Sequence, residues 1–237
     1  MIKRYLLFLC LVTTVASCDT LSNLPSTNTL PLTEAEAARG IREALEQGVS
    51  HGITFLNKED GFFGNAAYKL LLPPEAQRIE GTMRQLGMGA MVDKAVLQIN
   101  RAAEDAVGTA RPIFADAIRE LTLTDALTIV RGADSAATQY FRQKTTDKLI
   151  AAFMPVIKGS LEKFSATKYY GDVINTYNGF PTTLRKVNPD LPSYVAGRAV
   201  DALFDQIGKE EAAIRANPAA RTTEILKRVF GRRTGTF

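Results

Sequence analysis

Histidine and cysteine are nearly missing from this chain: of 237 residues, one is His and two are Cys. That scarcity excludes a zinc cage, which takes about four such ligands, and it excludes a disulfide framework. Strand-type alternation is scarce, so an all-β architecture is excluded as well. No Walker pattern occurs, and Gly87-Met88-Gly89 lacks the third glycine and the preceding strand of a dinucleotide loop. What remains is ordinary globular material, 46% hydrophobic and 23% charged with a formal charge of +4. Such a composition argues against wholesale disorder or a fibrous repeat, and the length suits one or two domains with a sizeable core.

The first eighteen residues carry the most specific pattern. Lys3 and Arg4 are basic, Tyr5 to Val12 is a nearly unbroken apolar run, and Val15-Ala16-Ser17-Cys18 follows. A spanning helix needs about 20 apolar residues, so this run is too short to stay in a bilayer. It reads as a removable export signal over residues 1–17. The four residues ending in Cys18 resemble a bacterial lipobox, which implies cleavage before Cys18 and a lipid on its sulfur. One acyl chain holds a protein only marginally, and the two or three that such a site carries hold it firmly. Cys10 leaves with the signal, so the mature chain has no free thiol. It carries 27 basic against 25 acidic residues, and that near-neutrality predicts no nucleic-acid partner. Asp19 bears on which bacterial membrane is used, and the choice between inner and outer stays open. From Cys18 to Leu32 the composition is that of a flexible tether.

The folded part is expected over residues 33–231, ahead of a basic tail at 232–237. Thr33-Glu34-Ala35-Glu36 opens a helix that should decay between Gly48 and Gly52. Ala66 to Leu72 reads as a short extended piece beyond the Asp60-Gly61 turn, closed by Pro73-Pro74. Glu75 to Leu86, Met91 to Ala106, Pro112 to Leu121 and Thr122 to Arg131 read as helices. The next runs from Asp134 beyond Leu161, with a bend expected at Pro155. Tyr170–Leu184, Ser193–Ile214 and Pro218–Phe230 complete the set. The prediction is all-α, a mainly helical single domain with room for one short β-hairpin near residues 60–72.

Several segments together carry a resemblance. They are Asp60-Gly61-Phe62-Phe63, Asn100-Arg101-Ala102-Ala103-Glu104, the run Leu121 to Gly132, Ala136-Ala137-Thr138-Gln139-Tyr140-Phe141-Arg142, and Glu210 to Pro218. In this order they resemble an uncharacterised bacterial lipoprotein family with a domain of unknown function, the family numbered 4197. The resemblance spans nearly the whole mature domain. It implies a helical, exported, lipid-anchored protein and assigns no catalytic residue.

Two short patterns tempt and fail. Gly48-Val49-Ser50-His51-Gly52 has nucleophile-elbow spacing, but the sole histidine sits inside the elbow and cannot approach from elsewhere as a base. Ser160-Leu161-Glu162-Lys163 lacks the partner motifs of serine acyl-enzymes. Asp60-Gly61 lacks the spaced carboxylates of a calcium loop, so neither a metal nor a cofactor is expected.

The charged residues near the family segments are the candidate site. Arg101 and Glu104 share a helix face, as do Glu211 and Arg215 at i,i+4. Asp125, Arg131, Asp134 and Arg142 crowd the neighbouring helix caps. One reading makes these ion pairs and caps that fix helix packing. The other makes Arg101, Glu104, Asp125, Arg131, Arg142, Glu211 and Arg215 a polar cleft for an anionic or peptide ligand. The stretch 209–237 holds seven basic and three acidic residues, which suits a docked terminal helix or contact with anionic headgroups.

The functional expectation is an exported protein held by a lipid on Cys18 and facing the periplasm. Its domain would be a non-enzymatic module that binds an envelope protein or a small ligand. The alternatives are a carboxylate-based hydrolase acting on an envelope polymer, and a carrier of a small apolar ligand. Two convergent acids in an open cleft would mark the first, a closed apolar pocket the second.

Overall fold

The chain enters its first helix, α1 (Glu34–Leu56), through a reciprocal cap. The Glu36 N–H donates to Thr33 Oγ1 at 3.2 Å, and the Thr33 N–H donates to Glu36 Oε2 at 3.0 Å. Two orphan donors of the first turn are thereby satisfied. Thr122 and Asp125 repeat the device at 3.1 Å in both directions, opening a short helix at Leu123–Arg131.

This computed structural model describes residues 32–163, 165–179, 186 and 190–231. The signal, Cys18 and the tether up to Pro31 lie outside the described residues. So do the tail 232–237 and the end of the helix expected to reach Leu184. The further helices are α2 (Pro74–Gln85), α3 (Gly89–Val107), α4 (Ala110–Arg119), α5 (Leu123–Arg131), α6 (Ala136–Lys163), α7 (Ala166–Asn178) and α8 (Leu191–Ala216). A 3₁₀ turn at Pro218–Ala220 then leads to α9 (Glu224–Phe230). Pro112 falls in the first turn of α4, two residues inside its start, where a missing N–H costs nothing. No strand occurs among the described residues, and no helix there is long and apolar enough to cross a membrane.

The helix expected to run through Pro155 does so, as one element of 28 residues, and two local expectations are corrected. First, α1 does not decay at Gly48–Gly52 but continues to Leu56. A glycine inside a helix costs about 1 kcal/mol against alanine. Here the cost is offset by close packing: a Cβ on Gly52 would lie 3.3 Å from Gln206 Cβ and 3.4 Å from Leu203 Cδ1 of α8. Second, residues 60–72 form turns and no hairpin. The Phe62 and Phe63 N–H groups and both polar groups of Leu70 bond to side chains of α3, and local turn bonds serve Gly61, Gly64, Asn65, Tyr68 and Lys69, so these groups need no ladder.

The helices share one core. The most extensive contacts join α6 to α8, α1 to α8 and α3 to α6, while the shorter helices cover this set. Phe114, Phe141 and Phe204 meet where α4, α6 and α8 converge, with ring centroids 5.2 and 6.0 Å apart. All three are fully buried and carry much of the apolar area.

Candidate functional site

The candidate charges do not form one cleft; they fall into two anchoring centres and two surface contacts. In the first centre Glu104, buried on α3, reaches back to the loop after α1. Its Oε1 accepts the N–H groups of Phe62 (3.0 Å) and Phe63 (3.2 Å), and its Oε2 accepts Arg101 Nη1 at 2.6 Å. Arg101 also reaches Asp60 at 2.9 Å and Glu59 at 3.3 Å. Asn57 Nδ2 donates to the Glu104 carbonyl at 2.6 Å. One turn earlier, the fully buried Asn100 takes both polar groups of Leu70 at 2.8 Å and donates to the Val96 carbonyl. Two of the segments that carry the family resemblance, Asp60–Phe63 and Asn100–Glu104, therefore bind each other.

The second centre joins the other three segments. Glu211 is buried on α8 and caps α6 from outside that helix. Its Oε1 accepts the Ala137 N–H at 3.0 Å, and its Oε2 accepts the Thr138 N–H at 2.8 Å and hydroxyl at 2.7 Å. A carboxylate suits the partial positive charge of a helix start. Arg215 completes the set, donating to Glu211 Oε1 through Nε (3.1 Å) and Nη2 (2.9 Å) and to the Ile129 carbonyl of α5 at 3.0 Å. Five hydrogen bonds thus converge on one carboxylate, which has about four lone-pair positions.

Asp125 belongs to the α5 cap, and Tyr140 approaches it at 3.4 Å. The Thr122 hydroxyl and N–H hold its carboxyl below the usual carboxylate range. Arg142 pairs with Asp201 at 3.0 Å and lies over the Phe204 ring. Arg131 closes α5, in its last turn.

A third polar cluster was not legible in the sequence. The Tyr68 hydroxyl donates to Asp205 at 2.5 Å and accepts Gln206 Nε2 and Lys209 Nζ at 2.6 Å each. Burial and the Asp205 carboxylate raise this phenol above its ordinary pKa, while Lys209 lowers Asp205. Both shifts favour the protonation states of a structural pin, with a neutral phenol and a charged carboxylate. Asp205, Gln206 and Lys209 lie on one face of α8 at helical spacing, but nothing local marks Tyr68 as their partner.

The tempting patterns are also absorbed by packing. His51 sits within continuous helix, 55% exposed, with Nδ1 3.1 Å from Glu210. Ser160 donates to Asp105 at 2.8 Å and is buried. No metal-ligating group of three or more occurs among the described residues. A recess beside Glu211 and Arg215, walled by Ile41, Ala44, Leu45, Ile207 and Phe230, has a volume of about 10 Å³. That is the scale of one water molecule.

Neither the curated proteins nor the solved structures hold a match to this chain. A family model does match, over residues 31–231, and that span coincides with the helical domain built around the two anchoring centres. The chain belongs to the family described as "Protein of unknown function (DUF4197)".

Proposed function

We propose that this is a lipid-anchored cell-envelope protein whose helical domain is a non-enzymatic binding or interaction module. The anchor reading rests on the order of the N-terminal signals: basic Lys3 and Arg4, a short apolar run, and small residues ending in Cys18. A tether-like stretch separates them from the family domain that starts at residue 31. The observation supporting a non-enzymatic role is the use made of Glu104 and Glu211. Both buried acids are engaged by backbone amides, arginines and the Thr138 hydroxyl of the fold itself, Glu104 with three hydrogen bonds and Glu211 with five. A general acid or base needs a position within hydrogen-bond reach of substrate, and burial behind these partners argues against that use.

Mass spectrometry of the full-length protein purified from membranes tests both halves. It should show cleavage before Cys18, an acylated Cys18, and a co-purified partner or ligand. A Cys18→Ala variant should lose radiolabelled-palmitate incorporation; labelling that persists in that variant would sink the anchor.

A further inference from the structure

Among the described residues, two buried side-chain oxygens have no hydrogen-bond partner: the Tyr170 hydroxyl and Gln98 Oε1. Tyr170 belongs to α7, which packs on α3, and it is 6% exposed. Gln98 lies one turn after Lys94 on α3, and Lys94 Nζ sits 5.5 Å over the ring of Tyr169, so this face of α3 looks toward α7. A buried hydroxyl left unpaired weakens a fold, and its retention asks for a reason.

The surroundings of the Tyr170 hydroxyl come from two further helices. α7 packs on α2, whose first turn holds Glu75. The stretch leading into α2 is tied to α8, where the Tyr194 hydroxyl donates to the Leu71 carbonyl at 3.1 Å. Burial, then the Glu75 carboxylate and the Tyr194 phenol, push the Tyr170 phenol above its ordinary pKa, so it stays neutral. Glu75 is exposed and makes no ion pair among the described residues. Arg198, one turn beyond Tyr194 on α8, is exposed as well and is not paired with it.

These oxygens are short of protons. Glu75 and Gln98 Oε1 can only accept, Tyr194 has given its proton to Leu71, and Tyr170 alone has one to offer. A water would serve Tyr170 but leave the Glu75 charge unanswered. An ammonium group supplies three N–H donors and the opposite charge. Tyrosine rings also favour a cation at their faces, as Lys94 does over Tyr169.

Resting on the binding-module reading, we infer that Tyr170, Glu75 and Tyr194 form a site for a primary ammonium group on a slim, unbranched chain. The Tyr170 oxygen accepts one N–H, and Glu75 at the exposed rim supplies the countercharge. n-Butylammonium chloride, titrated into the purified full-length protein and followed by saturation-transfer NMR, should bind in the millimolar range open to so small a ligand. Tyr170→Phe and Glu75→Gln should each weaken binding about tenfold. Tyr170→Phe removes a hydroxyl that has no partner in the free protein, so its urea midpoint should stay level or rise, which separates lost binding from lost fold. Tetramethylammonium carries the charge without an N–H and should bind about tenfold more weakly than n-butylammonium. A blocked lysine, Nα-acetyl-lysine methylamide, that outcompetes n-butylammonium assigns the group to a peptide, and the reverse assigns it to a free amine. No binding of either amine, binding that Tyr170→Phe leaves unchanged, or equal binding of tetramethylammonium overturns the site. Species co-purified with the protein report the module separately: a co-purified ligand without an amine sinks this site alone, whereas no co-purified ligand or partner and no amine binding sinks both.

Discussion

Glu104 and Glu211 perform the same chemistry in regions that differ in what they hold. Each carboxylate takes two consecutive backbone N–H groups from a distant part of the chain and one arginine from its own helix. Around Glu104 the clamped segment is a loop, and Arg101 is 22% exposed and shared with Glu59 and Asp60. Around Glu211 the clamped segment is the start of α6, and Arg215, 10% exposed, also ties α5 through the Ile129 carbonyl. The first centre fastens one loop to one helix; the second locks three helices together. Identical hydrogen bonds should therefore weigh differently, because loops open locally while helix junctions open only with much of the core.

The largest effect is expected for Glu211→Ala, at about 3–5 kcal/mol, the usual cost of stranding a buried charge partner. Urea unfolding measures it, and a loss no greater than that of Glu104→Ala breaks the comparison. Glu104→Ala should cost about 2–3 kcal/mol, since Arg101 keeps Asp60 and Glu59 as partners. Its signature is local: hydrogen exchange should accelerate at the Phe62 and Phe63 amides and stay slow in α6.

Asn100→Ala provides the neutral counterpart at the same loop, leaving both Leu70 backbone groups unpaired. It should lose about 1–3 kcal/mol without the salt dependence of the charged centres. Thr122→Ala provides the solvent-exposed counterpart and should cost about 1 kcal/mol near neutral pH. Thr122 holds the Asp125 carboxyl below its unfolded value, which is about 3.9. That stabilisation is full above the unfolded pKa and is lost as pH falls through the folded one. Wild type and Thr122→Ala should therefore converge in urea midpoint as pH drops from about 5 toward 2; a constant gap would mean that the hydroxyl acts on the backbone alone.

Most helices were legible because their signals are local. Thr33 with Glu36, Thr122 with Asp125, and Asn217 ahead of Pro218 state where helices begin, and the structure has caps at all three. The spacings of Arg101–Glu104 and Glu211–Arg215 likewise gave the pairs. Their targets lay some 41 and 74 residues away, and no spacing rule reaches that far. The same limit explains the misread glycines of α1. Gly52 looks like a helix breaker until α8 is beside it, where the missing side chain becomes the reason the helices fit. Residues 60–72 left room for a hairpin because Phe62, Phe63 and Leu70 find their partners on α3, which only the assembled fold supplies.

Thr222 and Ala220 bond to Gln47, Val229 packs on Gly40 and Arg228 pairs with Glu36, so α9 runs antiparallel along α1 and brings the two described ends of the domain together. Its first and last described helices meet within a turn or so, so a short glycine-serine link between Gly231 and Leu32 would close the path without moving a helix. New ends could then open at Leu86–Gly87, where Gly87 has φ of +82° and a Cβ would meet nothing within 4 Å. The permuted chain would keep both carboxylate centres, and its fold would not depend on where translation begins.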